Sequence, residues 1–144
     1  MRNFRYALFR VAPILAFYFF LGIGFGVIFV KEGFSPLHSY LSGLFIYAGS
    51  MQMALVPLLA SEAPLYFVAL MTLFINGRMM FYGISFLEKF QSMGKAYPYM
   101  IHTTTDETYS VLVSMEYPED VDEKKVDFFV HLLCHLTWSS SCLV

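Results

Sequence analysis

Two adjacent carboxylates, Asp106 and Glu107, stand inside a largely apolar stretch that runs from about Tyr97 to Met115. A carboxylate in a membrane-spanning segment costs roughly 2.5–3.5 kcal/mol on insertion scales, so it tends to face a cavity or a partner and to handle ions or protons. A plainer reading is a helix start, because Thr104-x-x-Glu107 fits the capping-box pattern and acidic residues favour a first turn. The two readings are compatible: a helix that begins inside the membrane is half of a broken helix. Arg78 poses the same choice. It lies in Asn76-Gly77-Arg78, well inside another apolar segment, either snorkelling to the interface or pairing with Asp106, Glu107 or a ligand carboxylate.

A third polar interruption, Ala48-Gly49-Ser50-Met51-Gln52, divides the uncharged stretch from 33 to 61. Gly49, Ser50 and Gln52 offer backbone amides and side-chain polar groups of the kind that discontinuous transporter helices present to anionic ligands. The alternative is a kink at a Gly-Ser pair. His131 and His135 are spaced i, i+4, but no third ligand accompanies them, so no metal or other cofactor is expected. Gly22-x-Gly24 is not a dinucleotide fingerprint, since no strand precedes it; Gly22-x-x-x-Gly26 suits close helix packing. Neither cysteine sits in a nucleophile motif, and no catalytic constellation is present, so an enzyme is not expected.

These residues must be held by a bundle of membrane helices. Of 144 residues, 58% are hydrophobic, 19% aromatic and only 14% charged, with net charge −2. Mean hydropathy is +0.59. Soluble domains carry about 25% charged residues. This composition points to an all-α integral membrane protein, a polytopic helical bundle with broken or re-entrant helices. With a pI near 6.0 and no basic patch, no nucleic-acid partner is expected.

Val11 to Val30 carries no charge and follows Arg2, Arg5 and Arg10, which predicts a retained first span near 11–30 with a cytoplasmic N-terminus. Further segments are predicted near 36–60, 63–87, 97–115 and 128–144, within one transmembrane domain over 1–144. Residues 116 to 127 carry six acidic and two basic residues and form an aqueous loop. If 36–60 enters and returns instead of crossing, Lys89 and Lys95 join the N-terminal arginines inside, which satisfies the positive-inside rule better.

Several short stretches, in order, resemble one known family. They are Gly22-Ile-Gly-Phe-Gly26, Gly33-Phe-Ser-Pro36, Tyr47-Ala-Gly-Ser-Met-Gln52, Ile75-Asn-Gly-Arg-Met79, Tyr82-Gly-Ile-Ser85 and Thr105-Asp-Glu-Thr108. The chain resembles the AzlC family of branched-chain amino acid exporters, which includes the YgaZ type, over roughly residues 8 to 138. Where the family usually has Asn-Leu-Arg-His, this chain has Asn76-Gly77-Arg78-Met79. The family continues into further membrane segments, whereas the tail from Trp138 to Val144 reads as unlike it, an expectation of truncation.

The resemblance implies export of leucine, isoleucine, valine and analogues across the cytoplasmic membrane, with a small AzlD-type membrane protein as partner. On that footing Gly49, Ser50 and Gln52 offer donors to the substrate. Asp106 or Glu107 accepts the ammonium or shuttles a proton. Arg78, with Asn76 beside it, holds the carboxylate or neutralises the acidic pair. The competing reading is a non-transporting membrane subunit or an inactive remnant.

Overall fold

The computed structural model describes residues 2–143, so Met1 and Val144 lie outside the described residues, including the last position of the expected 128–144 segment. Among the described residues all regular structure is helical. The elements are α1 (Arg2–Lys31), α2 (Pro36–Phe45), α3 (Gly49–Ala60), α4 (Leu65–Ser85), α5 (Leu87–Gln91), α6 (Tyr97–His102), α7 (Asp106–Ser114) and α8 (Glu123–Ser141), with one 3-10 turn at Gly94–Ala96. This is an all-α membrane protein: in hydrocarbon each backbone N–H and C=O must be satisfied within the protein, and a helix does so within one segment. Among the described residues two helices, α1 and α4, are long and apolar enough to cross a bilayer alone. At about 1.5 Å per residue, α1 is well over the ~30 Å a span requires.

The core is the seam between α1 and α8. Ala7, Val11, Tyr18, Phe25 and Phe29 of α1 interlock with Val126, Val130, Cys134 and Trp138 of α8. The two helices run in the same direction. Near their starts Arg2 pairs with Asp120 at 3.0 Å, just ahead of α8. Further along, Tyr18 meets Trp138 and Gly22 meets Ser141. A Cβ on Gly22 would lie 1.9 Å from the Ser141 hydroxyl, so this crossing closes only around glycine. By contrast α4 buries only Gly83, and Leu65, Phe74 and Phe81 are largely exposed.

The end of the bundle where α8 begins gathers charge. Residues 116–122 connect α7 to α8, while Glu123 to Asp127 of the acidic stretch already belong to α8. Lys89 reaches Glu123 at 2.6 Å and the fully buried Asp127 at 2.7 Å. Tyr117 donates to Asp127 at 2.6 Å. Burial pushes the Asp127 carboxyl up, opposed by the hydrogen bonds from Lys89 and Tyr117. Asp122 caps α8 by accepting from the Lys125 amide, and Lys125 holds its carboxyl below the usual range. Lys89 and the N-terminal Arg2 therefore share one end of the bundle.

Two helix pairs are broken within the bundle. Between α2 and α3, residues 46–48 turn beside α8: the His135 ring donates to Leu44 O at 2.9 Å, and Gly49 lies against Trp138. Tyr47 takes a left-handed φ of 45°, a conformation costing of order 1–3 kcal/mol for a residue with a side chain. Between α6 and α7, residues 103–105 turn against His131. The cap here is Thr105 with Thr108, not the expected Thr104 with Glu107. Thr104 is turned back to donate to Met100 O at 2.7 Å, and the helix starts one residue later.

Candidate functional site

The two breaks face each other across a cavity of about 220 Å³. Tyr18, Tyr47, Gly49, Ser50, Thr105, Asp106 and Glu107 line its polar part; Leu21, Met53, Met79 and Trp138 line its apolar part. The helix starts of α3 at Gly49 and of α7 at Asp106 both contribute to the wall. A helix N-terminus carries unpaired amides and a partial positive charge, so each start favours negative charge. At α7 that charge is covalent: Asp106 and Glu107 occupy the first turn. At α3 no side chain caps the amides.

Arg78 of α4 does not line the cavity but holds two residues that do. Its guanidinium meets Asp106 Oδ2 at 2.6 Å and donates to the Ser50 hydroxyl at 3.3 Å, joining α4, α7 and the start of α3. Asp106 Oδ1 is buried with no hydrogen-bond partner among the described residues. Glu107 accepts from the Tyr18 hydroxyl at 2.8 Å, and that hydroxyl also meets Thr105 Oγ1 at 2.7 Å. Two carboxylates, one of them paired with a cation behind it, and a set of hydroxyls thus surround one space with an apolar flank. Such a space suits a small molecule carrying both charges and a hydrocarbon side chain.

Gly49, Ser50, Asp106 and Glu107 come together in the cavity wall, and Arg78 stands behind it, bonded to Asp106 and Ser50. Gln52 and Asn76 do not line the cavity. Asn76 Oδ1 is buried without a partner. Gln52 is fully buried and acts as a brace. Its Oε1 accepts from Ala48 N at 3.2 Å and from Trp138 Nε1 at 3.0 Å, both obligate donors. Its Nε2 donates at 3.0 Å to Ser42 Oγ, whose own proton goes to Ser39 O. The amide is used in one orientation only, and it fixes the indole that walls the cavity.

Sequence reasoning passed over Tyr18, Tyr47, Thr105, Met79 and Trp138 as site residues. The available signal was weak: two tyrosines whose hydroxyls need partners inside apolar runs, and the only tryptophan of the chain. His131 and His135 serve packing. His131 Nδ1 lies 2.9 Å from Thr103 Oγ1, and His135 Nδ1 lies 3.2 Å from the Tyr99 hydroxyl.

Comparison with known proteins agrees with the residue pattern. The sequence model described as "AzlC protein" matches residues 13–144. That match takes in the tail from Trp138 onward, which the sequence alone had set apart from the family. The chain is 35% identical to the "Branched-chain amino acid transport protein AzlC" of Bacillus subtilis over 141 residues, covering 98% of this chain and 56% of that protein. It is 33% identical to an uncharacterized membrane protein of Helicobacter pylori, covering 100% of this chain and 63% of the relative. An uncharacterized membrane protein of Haemophilus influenzae is 40% identical, covering 88% and 52%. The chain therefore spans little more than half to just under two thirds of these relatives. No solved structure matches it significantly. With the family match running over nearly the whole chain, and with the helix breaks holding the motifs that carry the resemblance, this protein belongs to the AzlC family.

Proposed function

We propose that the chain takes part in exporting branched-chain amino acids across the cytoplasmic membrane. The observation that carries this reading is the cavity between two broken helix pairs, lined by Asp106, which Arg78 pairs, and Glu107, with an apolar flank of Leu21, Met53, Met79 and Trp138. Leucine, isoleucine and valine are zwitterions with a compact hydrocarbon side chain. The uncapped start of α3 and the Ser50 hydroxyl offer donors to the carboxylate. Asp106 and Glu107 offer acceptors to the ammonium. The apolar flank takes the side chain. The name of the Bacillus relative supports the substrate class.

The membrane arrangement follows from the positive-inside rule. The end of the bundle bearing Arg2, Lys89, Lys124 and Lys125 faces the cytoplasm, which makes the N-terminus cytoplasmic. The pair α2–α3 then enters from and returns to the opposite side, and α6–α7 enters from the cytoplasmic side. Alternating exposure of the cavity requires only that one pair move against the other. A small AzlD-type membrane protein is the partner proposed for it, in keeping with the exposed apolar face of α4.

The test is efflux of labelled leucine from preloaded cells expressing the chain, with and without the small partner. Saturable efflux, inhibited by valine and isoleucine, is the expected result. Absence of efflux with the protein present in the membrane, in both settings, overturns the transport reading and leaves a non-transporting subunit.

A further inference from the structure

Tyr47 stands out against Tyr18, which is also buried, and against the half-buried Tyr99 and Tyr117. The hydroxyls of Tyr18, Tyr99 and Tyr117 all have hydrogen-bond partners. That of Tyr47 has none among the described residues, although the side chain is 3% exposed and lines the cavity. An unmet buried donor is costly to keep. Tyr47 is also held at φ 45°, where glycine would be unstrained. Its ring is clamped against His135 with centroids 4.6 Å apart, so the hydroxyl is placed rather than left to wander. Strain of this kind collects at ligand clamps. Across the same cavity Asp106 Oδ1 is the opposite orphan, an acceptor with no donor. Two residues that line one space thus carry an unmet donor and an unmet acceptor, each atom with almost no accessible surface of its own, beside the uncapped amides of α3.

We infer that the Tyr47 hydroxyl donates to the carboxylate of a zwitterionic amino acid in this cavity while Asp106 Oδ1 accepts from its ammonium. This rests on the transport reading above and adds the head-group orientation. The carboxylate points to the α2–α3 break and the ammonium to the α6–α7 break. An amine without the carboxylate keeps the second contact and has no use for the first.

Trp138 is the only tryptophan and walls the cavity, so its fluorescence reports occupancy. The experiment titrates the chain in lipid nanodiscs with leucine and with isoamylamine, which is leucine without its carboxylate. It compares wild type with Tyr47→Phe, which retains the ring and its packing. The variant is expected to weaken leucine by about tenfold or more, as for loss of a hydrogen bond to a charged group, and to leave isoamylamine within about twofold. Equal weakening of both ligands, or no weakening of leucine, overturns the assignment of Tyr47 while the transport reading stands. If wild type binds neither ligand, the transport reading falls and takes this inference with it.

Discussion

The two helix breaks meet at one cavity but are built on opposite principles. The break before α7 supplies its own partners: Thr105 and Thr108 cap each other's amides, and the side chains of Thr103 and Thr104 return to carbonyls of the preceding turn. His131 braces it from α8. The break before α3 is left open: Ala48 cannot cap, Tyr47 is in a left-handed conformation with an unmet hydroxyl, and the Gln52 side chain accepts from the Ala48 amide ahead of the helix rather than from its first turn. The first is a finished platform for two carboxylates. The second keeps donors in hand. A cavity needs both to recognise a zwitterion, since a fully capped pair would have nothing left to offer a carboxylate.

The largest effect belongs to the platform. Asp106→Asn removes the negative charge that pairs with Arg78 and halves the acidic pair. Leucine efflux is expected to fall at least about tenfold in cells, with the amount of membrane-inserted protein unchanged. Normal efflux by this variant would remove Asp106 from the site. Next comes an exchange of character between the breaks. Thr105→Ala, in the buried cap, should destabilise the protein by about 1 kcal/mol in thermal unfolding and lower efflux. Ala48→Ser should do the reverse to stability, by up to about 1 kcal/mol, because its hydroxyl caps α3. It should still weaken leucine binding, since those amides are no longer open. If Ala48→Ser binds leucine as well as wild type, the open helix start is not part of the site.

Gly49→Ala is the milder probe. The added Cβ would come within 3.3 Å of the Trp138 ring, tighter than ordinary contact, so the indole must give way by a few tenths of an ångström. A shifted tryptophan emission maximum and a KM raised by about two- to fivefold are expected, with the maximal rate little changed. An unaltered emission spectrum would show that the wall is looser than its contacts imply.

Both breaks were legible because polar residues inside apolar runs are expensive. Ser50, Arg78, Asp106 and Glu107 declare themselves by type alone, and so does the all-α membrane fold. What side-chain type does not carry is direction. Gln52 looked like a ligand-facing amide and instead binds Trp138 and Ser42. Asn76 is two residues from Arg78, and on a helix such neighbours do not share a face. Tyr18, Tyr47 and Trp138 carry no such mark, because an aromatic ring suits an apolar run and only packing decides where its polar tip ends. The exact helix start at Asp106 also escaped the sequence. Consecutive threonines at 103–105 offer several caps, and tertiary contact with Tyr18 and His131 selects among them.

The smallest effect tests whether an N-terminal cap matters to transport only where it meets the cavity. The start of α8 is capped by Asp122 at the charged end of the bundle, away from the lining residues. Hydrogen bonds from Lys125, through its side chain and its amide, lower the Asp122 carboxyl below the usual carboxylate range. A carboxyl lowered in the folded state adds stability above its unfolded pKa and loses it as pH falls through the lowered value. Asp127, raised by burial, works in the opposite sense, its contribution being lost as pH rises through the raised value. The difference between wild type and Asp122→Asn isolates the first, because Asp127 is common to both. Asparagine still accepts from the Lys125 amide but does not titrate, so the thermal stability of the variant should fall less steeply between about pH 5 and 3. Its leucine efflux at neutral pH should equal that of wild type. An efflux defect there would mean that the α8 start is coupled to the breaks, and the contrast between capped and open helix starts would then extend beyond the cavity.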